Sequence, residues 1–457
     1  MSGHPGFLSS PPKFTQVCAR ARCPGSRTGR VWFGRTVRRR TDVGIYSVVP
    51  ATGCAGERWG PTAHTLAAPV CSESEDVVGD NAVASPFQPT SPCQPTTRFL
   101  GTLEDQLGAA VCDTVAAPLR SIDANLEPVA DLCLSAVKAG GKRLRPRFMF
   151  WAWRAAGPPA TGLPPLVHLA AAVELLHAAV LVHDDVIDDS DVRRGQPSVR
   201  AALASRHRAD DGTGDARLFG DHMALLVGDL LWSAAHDSVA CAVSLLGTDA
   251  RRRVRQTFGA MRVEVVAGQL LELQAQAARD YSWAAAGKIQ RYKTSSYTVE
   301  RPMQLGLALA GTATPAIEAH LKKFARAVGQ AFQLRDDLTD VFSTTAASGK
   351  RVGDDIRGGK PTELLGTALE LASAPDRRTL TGIVGDADAD DAAIAEARRV
   401  LVGSGAVDRI RGRVTELVVI ANEAIEELNS RTDAAVCAGL TAMLTECTDL
   451  SFLPPGV

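Results

Sequence analysis

Apolar residues recur at spacings of three and four along most of this sequence, beginning near Phe99. Alanine is frequent in these stretches and alternating β-branched segments are almost absent, a pattern typical of helices rather than strands. Glycine and proline at 140–141, 157–159 and 358–359 separate the periodic stretches, and the polar stretch 203–218 predicts an exposed loop. We predict an all-α fold with helices over 99–115, 121–139, 145–156, 164–188, 219–243, 249–279, 281–310, 314–341, 362–373, 390–402, 405–429 and 432–448.

Residues 1–96 have a different composition, rich in Pro, Ser, Thr, Gly and Arg, with few acids before Glu73 and no helical periodicity. This composition predicts a disordered extension ahead of a folded domain over 97–457. An arginine-rich, acid-poor start is also typical of an organelle transit peptide. The preference for Arg and Ala over Lys favours instead a GC-rich bacterial source, and we expect a cytoplasmic protein.

Overall charge and cysteine usage narrow the possible functions. The formal net charge is -1, which gives no general attraction to nucleic acid or to a membrane surface. Half of the 10 cysteines precede residue 95, where nothing else indicates folding, so we expect free thiols rather than a disulfide framework. The most apolar helix carries His168, Glu174 and His177, and we expect no membrane span.

The most informative motif is the acidic run Asp184-Asp185-Val186-Ile187-Asp188. On a helix, Asp184 and Asp188 lie one turn apart on one face. One alternative is a solvated acidic helix end, but the helix leading to these acids is apolar, which favours an apolar pocket with a charged mouth. Asp336, Asp337 and Asp340 repeat the spacing downstream, so two carboxylate clusters could hold Mg²⁺ ions that bridge to phosphate oxygens.

Cationic side chains suited to phosphate accompany both clusters. Lys142, Arg143 and Arg145 follow a glycine pair, and Arg193-Arg194-Gly195 follows the first acids. Arginine matches phosphate oxygens with its planar fork. Taken singly, a run of this kind is more often part of a solvated surface. Further possible donors are Lys293, Lys350 and Lys360.

The combination of motifs resembles the trans-isoprenyl diphosphate synthases, also called polyprenyl synthetases. The motifs are GGKRLRP, VELLH-x5-HDDVIDDSDVRRGQP, FG-x7-GDLL, YKT, AFQLRDD-x2-D and GDDIRGGK, in the family's order and approximate spacing. The resemblance covers about residue 97 to the end and is greatest for actinobacterial geranylgeranyl diphosphate synthases. It implies a single helical bundle around a deep central cavity, the isoprenoid synthase fold, usually as a homodimer.

The resemblance also implies a role for each matching residue. Metal positions are Asp184, Asp188 and Asp336, supported by Asp185, Asp337 and Asp340, with about three Mg²⁺ ions bound together with substrate diphosphate. Isopentenyl diphosphate is expected at Lys142, Arg145 and His177, with Arg194 assisting, and the allylic diphosphate at Arg193. Lys293, Lys350 and Lys360 match the family's diphosphate-binding lysines. Thr294, Gln333 and the Lys293 carbonyl are expected to stabilise an allylic carbocation, which the isopentenyl double bond attacks in a 1'-4 condensation.

Product length is expected to depend on the helix turns before the first acids, at Leu176, Ala179 and Val180. A small Ala179 should leave room beyond a farnesyl tail, so geranylgeranyl diphosphate is the expected product, made from dimethylallyl, geranyl or farnesyl diphosphate. Farnesyl or longer products remain alternatives. Two other classes are a terpene cyclase, which would pair its aspartates with an Asn/Ser/Glu triad, and a non-catalytic subunit of a heteromeric synthase, which would tend to lose the acids.

Overall fold

The computed structural model describes residues 94–157, 162–343 and 352–454. These residues are almost entirely helical, which confirms the predicted all-α class. Residues 1–93 of the predicted extension lie outside the described residues. The described helices are α1 Gln94–Val111, α2 Ala117–Ile122, α3 Glu127–Lys138, α4 Leu144–Ala155, α5 Pro164–Ile187, α6 Val199–Ala209, α7 Ala216–Ser244, α8 Thr248–Ala278, α9 Trp283–Ile289, α10 Arg301–Ala310, α11 Pro315–Phe342, α12 Asp354–Arg357, α13 Glu363–Leu371, α14 Ala374–Ile383, α15 Asp391–Gly403, α16 Ala406–Leu428 and α17 Ala434–Thr448.

Three short helical segments and one hairpin complete the secondary structure of the described residues. A π-helical segment, Cys112–Ala116, joins α1 to α2, and a 3-10 turn, Ala124–Leu126, precedes α3. A second π-helical segment, Gln290–Glu300, joins α9 to α10. Strands β1 Val192–Arg193 and β2 Gln196–Pro197 pair antiparallel.

Helix α5 runs through the hydrophobic core and packs against α7, α1 and α4. Most of its side chains are buried on every side, among them Leu169, Val173 and Leu176. By length and composition alone this helix could cross a membrane, but 78% of its most apolar window is buried inside the protein, as in the core helix of a bundle. The acids at its carboxyl end are therefore carried by a rigid, fully packed element.

Glycines allow the closest helix contacts. At Gly228 in α7, an added Cβ would overlap the His183 ring of α5. At Gly306 in α10, it would overlap the Met149 carbonyl oxygen of α4. Close packing at these points holds α7 against α5, which carries the first acids, and α10 against α4.

Two sequence predictions were wrong in detail. Residues 203–218 are not one loop, because α6 extends to Ala209 and α7 begins at Ala216. Ser198 caps α6 by accepting a hydrogen bond from the Ala201 amide, and the many polar residues of α6 hid its helical character. The predicted helix over 281–310 is likewise interrupted, by the π-helical segment Gln290–Glu300.

Candidate active site

The first acidic cluster occupies the carboxyl end of α5. Asp184 and Asp188 each keep only 14% of their side chains exposed. The Lys293 Nζ lies 3.3 Å from Asp184, and the Lys360 Nζ lies 2.6 Å from Asp188. Lysines from two distant parts of the chain thus meet the acids at this helix end.

The β1–β2 hairpin presents two arginines beside this helix end. Arg194 (φ 56°) and Gly195 (φ 72°) both have positive φ, as a two-residue type I′ hairpin turn requires. The Arg193 Nε donates to Asp185 at 2.8 Å. The Arg194 guanidinium lies against Gly141, where an added Cβ would be 3.0 Å from its nitrogen. The hairpin therefore connects the first acids with the glycine pair that precedes α4.

Lys293 lies in the π-helical segment Gln290–Glu300, which is enclosed by α8 and α11. Gly268 of α8 and Gly329 of α11 face its backbone, and no larger residue would fit at Gly268 without displacement. Lys293 also donates to the buried Glu272 of α8. Burial lowers the pKa of Lys293, but Asp184 and Glu272 outweigh it and the pKa ends above its ordinary value. Lys293 is therefore a charged ammonium group.

The second acidic cluster lies near the carboxyl end of α11. Asp336 is exposed, whereas Asp337 is only 3% exposed and accepts a hydrogen bond from the Gln333 Nε2 at 2.6 Å. Burial raises the pKa of Asp337 well above its ordinary value, against the opposing effect of the Gln333 bond. Asp340 accepts from the Asp355 amide at 3.2 Å. The three acids thus differ widely in environment although their spacing matches the first cluster.

Lys360 links the two clusters. Its Nζ is 2.6 Å from Asp188 and 3.6 Å from Asp355, whose amide in turn donates to Asp340. Burial lowers the pKa of Lys360, but Asp355 and then Asp188 raise it to well above its ordinary value. A continuous chain of charged contacts therefore runs from the end of α5 to the end of α11.

Arg145 and His177 lie near each other, next to the hairpin. The Arg145 guanidinium carbon lies 4.5 Å from the Tyr297 ring centre, and its NH2 donates to the Thr298 hydroxyl at 2.9 Å. Burial lowers the pKa of His177 well below 6.5, and Arg145 and then Arg194 lower it further. Within the described ranges the buried His177 Nδ1 has no hydrogen-bond partner. Neutral histidine among arginines indicates a region able to receive an anion.

The remaining predicted site residues have different surroundings. The Lys142 Nζ faces Glu446 of α17 at 3.6 Å. Arg143 is enclosed by Glu104 and Glu174, each at 2.7 Å, and so is occupied within the fold. Lys350 lies outside the described residues. Leu176 and Ala179 are fully buried in α5, whereas Val180 and Thr294 are partly buried.

Sequence reasoning missed two acids of this site. Glu272 pairs with Lys293, and Asp355 pairs with Lys360. Asp355 belongs to the GDDIRGGK motif and could have been named from it. Glu272 gives no local signal beyond a single acid near the end of a long helix.

The donor set at the two clusters fits Mg²⁺. The available groups are carboxylate oxygens, which this metal prefers, and it is commonly bound through one or two carboxylates with substrate phosphates and water completing its coordination. In the part of the chain that the structure describes, no three acidic, His or Cys side chains form a ready metal-binding group. Asp184 and Asp188 instead face lysines. This arrangement suits a metal that binds together with a diphosphate.

Comparison with known proteins agrees with this geometry. Residues 127–401 match the family model described as polyprenyl synthetase. A short chain isoprenyl diphosphate synthase of Methanothermobacter thermautotrophicus is 31% identical over 296 residues, 64% of this chain and 82% of that protein. A nonaprenyl diphosphate synthase of Mycobacterium tuberculosis is 32% identical over 314 residues, 66% of this chain and 83% of that protein.

Among solved structures, geranylgeranyl pyrophosphate synthase of Corynebacterium glutamicum, complexed with isoprenyl diphosphate and magnesium, is similar, with a TM-score of 0.73 and 32% identity. The match covers 77% of this chain and 98% of that one. Its family acts on isoprenyl diphosphates with a divalent metal. This chain belongs to the polyprenyl synthetase family and is a prenyltransferase with the all-α isoprenoid synthase fold.

Proposed function

We propose that this prenyltransferase makes geranylgeranyl diphosphate by condensing isopentenyl diphosphate head-to-tail with dimethylallyl, geranyl or farnesyl diphosphate. The observation that carries the proposal is the chain of charged contacts from Asp188 through Lys360 and Asp355 to Asp340. Such an arrangement offers carboxylates and cations on both sides of one diphosphate.

Three cations are suited to the allylic diphosphate, namely Lys293, Lys360 and Arg193. Each now contacts a carboxylate of the first cluster, and each would exchange that partner for phosphate oxygens when substrate binds. Bound with the diphosphate, about three Mg²⁺ ions would neutralise the charge of the leaving group. Their proposed ligands are Asp184, Asp188 and Asp336, with Asp185, Asp337 and Asp340 in support.

Three polar groups, from Lys293, Thr294 and Gln333, are suited to an allylic carbocation. The Thr294 hydroxyl, the Lys293 carbonyl and the Gln333 amide oxygen are neutral dipoles that ease positive charge without capturing it. The Gln333 nitrogen is already engaged by Asp337. The amide oxygen is then the atom that would face the cation.

The isopentenyl headgroup is suited to the region formed by Arg145, His177 and Arg194, with Lys142 as a further contact. A neutral His177 can donate one hydrogen bond to a phosphate oxygen without adding a buried charge. The proton lost after condensation can pass to the released diphosphate, so no strongly basic side chain is needed.

The length of the product rests on α5. Ala179 and Leu176 are fully buried one to two turns before Asp184, and a side chain as small as that of Ala179 would leave room for a tail longer than farnesyl. The similar geranylgeranyl pyrophosphate synthase of Corynebacterium glutamicum supports this length. Relatives that make nonaprenyl and geranylfarnesyl diphosphates make longer products the alternative.

The test is incubation of purified full-length protein with isopentenyl diphosphate, Mg²⁺ and each allylic primer, followed by chromatography of the dephosphorylated products. We expect geranylgeraniol as the main alcohol. A longer alcohol would contradict the proposed length but keep the reaction. No product from any primer would contradict the reaction and favour a non-catalytic subunit.

We also propose that the protein is a homodimer. Exposed apolar residues form a stripe on α8, at Val263, Val266, Leu270 and Leu273, where the spacing follows one helix face. A second exposed set lies on α7, at Leu218, Phe219, Leu225 and Leu226. A second copy of this chain would bury both sets. Sedimentation should give a dimer for the wild type and monomers for Leu270→Glu. Leu371→Glu, which changes another exposed leucine, on α13, should remain a dimer. A monomeric wild type would contradict the proposal.

The proposed compartment is the bacterial cytoplasm. The five cysteines of the described residues are all free thiols, which suits a reducing environment. Fractionation of cells expressing the untagged chain tests this, and recovery only from an organelle or the periplasm would contradict it.

A further inference from the structure

Arg200, near the start of α6, is a buried arginine outside the predicted site. Only 3% of it is exposed, and its guanidinium meets three carboxylates. The partners are Asp189 at 2.8 Å, Asp191 at 2.9 Å and Asp221 at 2.5 Å. Asp189 and Asp191 belong to the loop that enters the β1–β2 hairpin, and Asp221 belongs to α7. One side chain thus fastens the hairpin loop to two helices.

This loop needs an external support. Asp189 has a positive φ of 56°, a conformation that costs free energy in a residue other than glycine. Further bonds brace the loop, from the Ser198 hydroxyl to the Ser190 carbonyl at 2.8 Å and from Arg217 to Asp189. Of these side chains, only Arg200 contacts both Asp189 and Asp191 as well as Asp221 of α7.

The supported hairpin carries Arg193 and Arg194, which contact Asp185 and the Gly141 backbone region. Only four strand residues and a two-residue turn hold these arginines, and a hairpin this short has little stability of its own. Without Arg200, three carboxylates would also repel one another where the loop meets α7. The positions of Arg193 and Arg194 therefore depend on Arg200.

We propose that Arg200 is a positioning residue for prenyl transfer, holding the hairpin so that Arg193 and Arg194 meet the substrate diphosphates. The proposal rests on the diphosphate role of those two arginines given under the proposed function. The proposal predicts that loss of Arg200 raises KM more than it lowers kcat. The reason is that Lys293, Lys360 and the acids of the two clusters are held by other contacts.

The experiment compares Arg200→Met and Arg200→Lys with Arg206→Met, which changes an exposed arginine on the same helix that forms an ion pair with Asp210. In Arg200→Met we expect KM for the diphosphate substrates to rise about tenfold, as for a misplaced substrate-binding group, with kcat changed less than about threefold. Lysine should restore part of the loss, and Arg206→Met should match the wild type. If Arg200→Met does not fold, Asp191→Asn, at an exposed carboxylate, should give a smaller rise in KM.

A triple variant separates positioning from a merely structural role. If Arg200 acts through Arg193 and Arg194, adding Arg200→Met to the double variant Arg193→Gln/Arg194→Gln should cause no further loss of kcat/KM. A further loss of kcat/KM on adding Arg200→Met would overturn the proposal. An unchanged KM in Arg200→Met and Asp191→Asn, when both variants fold, would overturn it as well. If Arg193→Gln and Arg194→Gln themselves leave both KM values unchanged, it is the diphosphate role of the arginines that fails.

Discussion

Replacing Gly268 by alanine should displace Lys293 and impair catalysis without any change in the chemistry of the site. Gly268 lies on the face of α8 that meets the π-helical segment Gln290–Glu300. An added Cβ would be 2.6 Å from the Lys293 Cα and closer still to its backbone nitrogen. Both atoms are backbone, so no side-chain rotation can relieve the overlap.

The magnitude follows from this geometry. Carbon atoms in contact normally lie about 3.5–4.0 Å apart, so the segment must retreat by roughly 1 Å. Inserting a methyl group into packed structure costs about 1–3 kcal/mol. A shift of about 1 Å in a group that positions substrate can cost around 100-fold in rate. Lys293, which now contacts Asp184 and Glu272, would move by that amount.

The assay is steady-state prenyl transfer together with thermal unfolding. Gly412→Ala, inside helix α16, is the control, because its added Cβ would meet nothing within 4 Å. Alanine is favoured over glycine in a helix by about 1 kcal/mol, so the control should be as active as the wild type and slightly more stable. Should Gly268→Ala equal the control in both kcat/KM and stability, the packing argument for Lys293 is refuted.

Other predictions test the acids, the product length and the pH response. Asp184→Ala should lower kcat by about three orders of magnitude through loss of metal-based charge stabilisation, with an unchanged far-UV circular dichroism spectrum; near-normal turnover would contradict the metal role. Ala179→Phe should shorten the main product, and an unchanged chain length would contradict the proposed pocket floor. Burial raises the pKa of Glu363 from 4.5 to about 7, so its contribution to stability is present below pH 4.5 and is lost as pH rises through about 7. Glu363→Gln should therefore gain up to about 3 kcal/mol relative to the wild type above about pH 8, measured by thermal melts, and an equal difference at low and high pH would contradict this.

Much of the fold could be predicted because the spacing of apolar residues along the chain indicates helices directly. The core helix α5 and the long helix α11 carry continuous apolar faces and were placed within a few residues. Helix α6 was missed because many of its side chains are polar and face solvent, so spacing gives little signal there. Its start depends on the Ser198 cap, which is readable only once a helix is suspected.

The site could be predicted in its residue types but not in its pairings. The i, i+4 spacing is local, so the acids could be assigned from one helix turn. The contact of Lys142 with Glu446 joins residues from opposite ends of the folded part, and no local pattern indicates it. The π-helical segment that aims Lys293 depends on the space left by Gly268 and Gly329 on two other helices, which only tertiary packing determines.

The environments of the acids show why the cations matter before any substrate binds. Asp337 is buried with an amide as its partner, and burial raises its pKa well above normal. Asp184 and Asp188 are also largely buried, but Lys293 and Lys360 balance their charge. A metal binds carboxylate rather than carboxylic acid. The two lysines therefore serve as counter-ions for the free site, and in the proposed reaction they would pair with the diphosphate, leaving Asp184 and Asp188 to hold Mg²⁺.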